Sequence, residues 1–261
     1  MSTSYFTRSG DWFTPGDAAA GPWAPDMLHG RLLGGLAARE IEKEYGEPGW
    51  RAARLTVDMF RPAGFEPTEV SLCLVRRGRR IKVVDALVSV GGHEVVSARA
   101  VLLVEGPIPP GTIWQAERWA SPHPETLARP EPREGDEVTD EDPVWDFRIH
   151  EGGFRTADRT RVWTRESGFL VDDEPVSPLV RAAMSGDMAS PLANGGDRGV
   201  GYINGDYTLA MARYPQGEWV GLETTNHLAA DGIAVGALTL YDLDGPFAIS
   251  TATALSNPIL D

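Results

Sequence analysis

Asp187 offers the clearest opening for acid–base chemistry in this 261-residue chain. It lies in the stretch 176–192, VSPLVRAAMSGDMASPL, beside the small residues Ser185 and Gly186, where a ligand or another backbone can come close. A carboxylate that looks into a covered space is a candidate general base, because partial burial raises its affinity for a proton. A solvated helix face would account equally well for an acid here, since Asp is mostly exposed. Other groups offer less. Asp26 and His29, three apart, would serve either a hydratase or the cap of the helix that follows, and His227 near Asp231 reads as a strand end. The five histidines show no paired metal-ligand spacing, and there is neither a Gly-x-Ser-x-Gly elbow nor a Gly-Lys-Ser/Thr phosphate loop. No metal or cofactor is therefore expected. The basic run Arg76, Arg77, Arg79, Arg80 and Lys82 is either a solvated turn or a contact for phosphate groups.

Composition narrows the class. Lys and Arg number 24 against 38 Asp and Glu, a formal charge of -14, which argues against nucleic acid or an anionic membrane as partner. A single cysteine, Cys73, excludes an intrachain disulfide and a cysteine metal motif, and suits a reducing compartment. The first residues carry no basic-then-apolar signal and no apolar run approaches the ~20 residues of a membrane span, so a cytoplasmic protein is expected.

The elements that must position Asp187 follow from periodicity. Ser177-Pro178 starts a helix, Leu179, Val180, Ala183, Met184 and Met188 form its apolar face, and Pro191 with Asn194-Gly195-Gly196 stops it. An earlier helix is expected over 29–45, with Leu32, Leu36 and Ile41 inward. Its Gly34-Gly35 pair costs roughly 1 kcal/mol per Gly relative to Ala and so predicts a close crossing with another backbone. Segments 4–13, 51–61, 69–77, 79–90 and 94–104 read as strands, the last four as a meander after the helix. Residues 105–150 then turn to Pro, Glu, Asp and Trp, read as a linker that Trp114, Trp119 and Trp145 drape over the body.

The second half repeats this plan. Thr56–Arg61 aligns with Thr208–Arg213 at an offset of 152, and the segment from Gly92 aligns with the segment from Gly245 at 153. The chain thus reads as α+β, two fused units at 1–110 and 153–261 joined by a linker at 111–152, each a helix packed on an antiparallel sheet. At an offset of 153, Gly34 stands opposite Asp187.

A helix with one Asp, the strand Ile203-Asn204-Gly205-Asp206-Tyr207-Thr208-Leu209, a last strand after Asp244-Gly245, Arg61-Pro62 and the Gly-rich start His29–Gly35 together resemble the acyl-CoA thioesterases of the double-hotdog type. The resemblance covers nearly the whole chain and rests on the order of short motifs. It implies two fused hotdog folds that hydrolyse acyl-CoA or a related thioester, with water held by an Asp on the second helix, a Thr or Asn on the next strand and usually a Gln on the last. By position these roles pass to Asp187, Asn204 and Thr253, the last a departure, since a hydroxyl lacks the reach of a Gln amide. The first half has Ala52 and Ala100 opposite Asn204 and Thr253, so polar groups gather in one half only. Two other functions fit the frame: an acyl-binding protein without catalysis, and a hotdog hydratase or dehydratase that would need His29 or His227. Exposed sheet edges or helix faces would let such chains pair into a homo-oligomer.

Overall fold

The computed structural model describes residues 3–22, 24, 26–130, 144–172 and 174–257. The acidic Pro-rich core of the expected linker, 131–143, lies outside the described residues, as do Trp23 and Pro25. In the first half, β1 (Ser4–Ser9) and β2 (Trp12–Pro15) form a hairpin where one strand was expected, turning at Gly10, whose φ of 63° suits glycine. The helix α1 (Gly30–Tyr45) follows, then the meander β3 (Trp50–Met59), β4 (Thr68–Arg77), β5 (Ile81–Val90) and β6 (His93–Val104). Strict alternation along β5 buries Val84, Ala86, Val88 and Val90 under α1, whose Leu32, Leu36 and Ile41 face them in one core.

The second half opens with β7 (Trp145–Glu151), β8 (Arg161–Glu166) and β9 (Phe169–Val171). Two short helices follow, α2 (Pro178–Gly186) and α3 (Ala189–Ala193), then a small hairpin of β10 (Gly195–Gly196) and β11 (Gly199–Val200). The second meander is β12 (Tyr202–Asn204) with β13 (Asp206–Met211), then β14 (Trp219–Ala230), β15 (Ile233–Asp242) and β16 (Gly245–Ser256). Among the described residues the main sheet has fourteen strands, with β12 on β16 and the others in the order β7-β8-β14-β15-β16-β13-β3-β6-β5-β4-β2-β1-β9.

The two meanders meet at β3 and β13, which pair antiparallel with Thr56 directly opposite Thr208 and their hydroxyls 3.1 Å apart. These are the residues that the repeat makes equivalent, so a pseudo-twofold axis passes between them. The remaining registers keep the same offset: Ala52 faces Leu102 and Asn204 faces Ala254, while the hairpins close at Val90–His93 and Asp242–Gly245. The last strand is therefore displaced by 152, not 153. Gly92 sits in a turn whereas Gly245 begins a strand, and matching the two glycines slipped the alignment by one.

The helices α1 and α2 pack on each other, with Gly35 against α2 and Gly34 against Tyr207 of β13, so the close approach that their cost in helix propensity predicts is to side chains rather than backbone. A Cβ on Gly35 would lie 2.8 Å from Met184 Cγ, and one on Gly34 would collide with the Tyr207 hydroxyl. Of the linker tryptophans, Trp119 packs with Trp163, Trp219 and Tyr241 in a second cluster, Trp145 belongs to β7 within the expected linker, and Trp114 is 85% exposed. No helix among the described residues is long and apolar enough to cross a membrane.

Candidate active site

Local sequence sets the place of Asp187. The Ser177 hydroxyl accepts a hydrogen bond from the Val180 amide at 3.2 Å, and Pro178 takes the first helical position without losing a donor. The stretch does not continue as one helix to Leu192, as expected; α2 ends with Asp187 as its C-cap and α3 restarts after Met188. The physical reason is Pro191, whose ring would strike the carbonyl four residues back, that of Asp187. The Ser250 hydroxyl donates to the Gly186 carbonyl at 2.7 Å and the Tyr207 hydroxyl to that of Ala183 at 2.9 Å, tying the end of α2 to the sheet.

Asp187 is 7% exposed, which settles the choice against a solvated helix face. Its Oδ1 accepts a hydrogen bond from Asn204 Nδ2 at 2.9 Å. Its Oδ2 lies beside Gly30, the first residue of α1, where an added Cβ would stand 3.7 Å from that oxygen and 3.0 Å from Met59 Sδ. The site is thus built across the two halves: the acid comes from α2, its amide partner from the end of β12, and the facing helix N-terminus, with its unpaired amides and positive dipole end, from α1. Burial pushes the Asp187 carboxyl up to about 6, while the Asn204 hydrogen bond and the charge of Arg31 pull the other way.

Arg31 was not singled out from sequence. Its side chain is 2% exposed, bonded to Glu166 at 2.5 Å and to the Tyr5 hydroxyl at 2.8 Å, with the guanidinium 3.7 Å above the Trp145 ring. Its partner stands 135 positions away, and no local pattern announces such a pair.

The structure brings Asp187 and Asn204 together and places Thr253 elsewhere. Thr253 lies on the outward face of β16, donating its backbone amide to Asp206 Oδ1 at 3.0 Å and its hydroxyl to Oδ2. The residue opposite Asn204 is Ala254, buried and without a polar group. The resemblance assigns Thr253 by its order along the last strand, and an error of one there exchanges the faces, because neighbouring residues of a strand face opposite sides. The first-half counterpart of Thr253 is likewise Val101, not Ala100.

Gly34 is not the counterpart of Asp187 either. At the far end of the helix pair the arrangement recurs with roles exchanged: Glu42, in the last turn of α1, meets the Ser177 hydroxyl at the start of α2. Burial raises the Glu42 carboxyl above its usual value, opposed by the Ser177 hydrogen bond. Each helix start is faced by an acid from the end of the other, and only the second-half acid has an amide beside it.

The histidines stand apart from this pair. His29 occupies the N-cap position of α1 without a capping hydrogen bond, its ring set edge-on to Trp145 at 5.6 Å. Burial, with Arg31 adding to it, lowers its pKa to about 3, so the ring is neutral. Exposed His227 pairs through Nδ1 with Asn194 Oδ1 at 2.9 Å. Arg76, Arg77, Arg79 and Arg80 are exposed around the β4–β5 turn, whereas Lys82 is buried over the Trp50 ring and bonded to Glu47 at 2.7 Å.

Comparison with known proteins adds to this geometry. Residues 19–103 match the family model of the acyl-CoA thioesterase N-terminal domain and 117–256 that of the acyl-CoA thioesterase C-terminal domain. No curated protein matches the chain. Among solved structures, the chain is similar to the tesB protein of Mycobacterium avium subspecies paratuberculosis, with a TM-score of 0.72, 16% identity and coverage of 97% of this chain and 96% of that one. The acyl-CoA thioesterase II TesB2 of Mycobacterium marinum gives 0.64 at 17% identity, covering 96% and 94%. A hot dog fold protein of unknown function from Alicyclobacillus acidocaldarius gives 0.71 at 16%, covering 98% and 96%. Likenesses at such identity establish the fold, a double hotdog.

Proposed function

The chain belongs to the acyl-CoA thioesterase family, and from that premise we propose that it hydrolyses acyl-CoA with water activated by Asp187. The observation that carries this reading is the buried Asp187–Asn204 pair facing the start of α1. A carboxyl with a pKa near 6 is mostly ionised at neutral pH yet basic enough to take a proton from water as it attacks. The Asn204 amide orients the carboxylate and the water. The amides at the start of α1 supply donors for the oxyanion, since an N-terminus favours negative charge and its first N–H groups lack partners in the helix. The water oxygen bonds to the thioester carbon, its proton passes to Asp187, and the C–S bond breaks as that proton is handed to the leaving sulfur. The products are the free acid and the thiol, and no covalent enzyme intermediate or cofactor is required.

The proposal places the acid in the unit 153–261 and the helix start in the unit 1–110. It keeps the cytoplasm as location, which suits the lone thiol of Cys73. It also keeps a homo-oligomer as the working form, because Leu228, Ile233, Val235 and Leu255 lie exposed side by side where β14, β15 and β16 adjoin.

The test is thiol release from acyl-CoA substrates of graded chain length by the wild type and Asp187→Asn. Hydrolysis that vanishes in the variant supports the reading; an unimpaired variant removes Asp187 from its role.

A further inference from the structure

The counterpart of the Asp187 site is not filled in. At the Glu42 end of the helix pair, about 18 Å along α1 from Gly30 at 1.5 Å per residue, a cleft of about 270 Å³ opens between the helices and the sheet. Its walls include Ile41, Trp50, Leu102, Leu179 and Tyr214, with Glu42 at the helix end. The pseudo-twofold maps two of these onto the other site: Trp50 and Leu102 stand 152 positions before Tyr202 and Ala254. Ala52, across from Leu102, stands where the other half has Asn204.

The rim of this cleft carries exposed basic residues, whereas Arg31 at the Asp187 site is buried. Lys82 is cross-strand to Leu102 and lies over Trp50, and Arg77 acts electrostatically on Glu47, which also lines the cleft. Beyond them the β4–β5 turn exposes Arg76, Arg77, Arg79 and Arg80, none in an ion pair among the described residues. The matching β14–β15 turn has Asp231-Gly232 and no basic residue. Four exposed guanidinium groups, of which Arg77 alone acts on a nearby carboxylate, form a local anion site on a protein of net charge -14. An apolar slot beside them suits one ligand with a short acyl end and a polyanionic end.

We propose that the Glu42 cleft and the arginine turn form a second acyl-CoA site, which binds without hydrolysing. The proposal rests on the reading of the chain as an acyl-CoA enzyme. Its volume, just below the roughly 300 Å³ at which small-molecule pockets begin, fits a short acyl group. Hydrolysis is absent because Ala52 offers no amide to a water and Glu42 is engaged by Ser177.

Titration with a non-hydrolysable probe, the S-butyl thioether of coenzyme A, tests the site by calorimetry. Two molecules per chain are expected for the wild type and one for the surface variant Arg77→Glu/Arg79→Glu, whose kcat/KM for acyl-CoA stays within about twofold of the wild type. Comparing S-ethyl, S-propyl and S-butyl probes, affinity at the second site should rise about fourfold per methylene. One molecule per chain in the wild type overturns the proposal, as does affinity indifferent to the alkyl group. Parallel loss of hydrolysis in the arginine variant also overturns it, by assigning the arginines to the Asp187 site. Two bound probes in a protein without thioesterase activity would support the second site and refute only the hydrolytic reading.

Discussion

The two ends of the α1–α2 pair have the same architecture and opposite chemical fittings. At one end Asp187 of α2 faces the start of α1 with Asn204 and Ala254 beneath it; at the other Glu42 of α1 faces the start of α2 with Ala52 and Leu102 in the matching places. A carboxylate at a helix start is thus a property of the duplicated frame, stabilised at each end by the dipole of the opposite helix. What distinguishes the ends is the strand residue below. An amide on β12 donates to Asp187, whereas Ala52 leaves Glu42 with only the hydroxyl of the helix cap.

The largest expected effect that sharpens this contrast is Asp187→Asn, which should lower kcat by about 10²–10⁴-fold, the range of a general base. Should Glu42→Gln cause a comparable loss, the contrast breaks. Asn204→Ala, which copies the first-half arrangement, comes next, with a loss of at least about tenfold. In the wild type kcat should fall as pH drops below about 6, where Asp187 gains its proton. In Asn204→Ala that limb should move to higher pH, because the lost hydrogen bond had favoured the charged form. A pH–rate profile of both proteins reads out both effects.

A stability effect of intermediate size runs in the reverse sense. The Asp187 carboxyl is raised on folding to about 6 from its usual 3.8, so the folded chain holds this proton more tightly than the unfolded chain. Stability from this group is therefore fully present below about pH 4, declines as pH rises through about 6, and is flat above about pH 7. The burden at neutral pH is about 2–3 kcal/mol. Asp187→Asn should then raise the melting temperature by several degrees at pH 7.5 and by little at pH 4, as scanning calorimetry would show. Smallest of all, Thr253→Ala and Glu42→Gln should each leave kcat within about twofold; a larger fall for Thr253→Ala would mean that the outward face of β16 takes part.

Sequence periodicity carried most of the frame. Both helices, both meanders and the duplication were legible because amphipathic spacing and turn residues are local signals. Pairing Asp187 with Asn204 required the resemblance as well. Thr253 was assigned by order along the last strand, where an error of one exchanges the faces; its counterpart was misread as Ala100 because two-residue turns at Gly91-Gly92 and Leu243-Asp244 place glycines at non-equivalent points. Glu42 was missed because α1 has sixteen residues and α2 nine, so a constant offset cannot relate points along helices of unequal length. Arg31, Glu166 and Tyr5 form a buried charged cluster from three distant segments, for which no spacing rule exists.

The pairing of Thr56 with Thr208 has a consequence for synthesis in the cell. During translation β3 emerges long before β13, and closing so long a loop adds only about 0.6 kcal/mol per doubling of length but delays the contact. Until β13 arrives, the β3 edge that it covers is unpaired. Because its register with β13 is centred on equivalent residues, the same register serves β3 of a second nascent chain, with Thr56 on Thr56. Self-association of isolated first halves across this edge is therefore an expected misassembly, which sedimentation of residues 1–110 alone would read out, and pairing with β13 occupies the same edge.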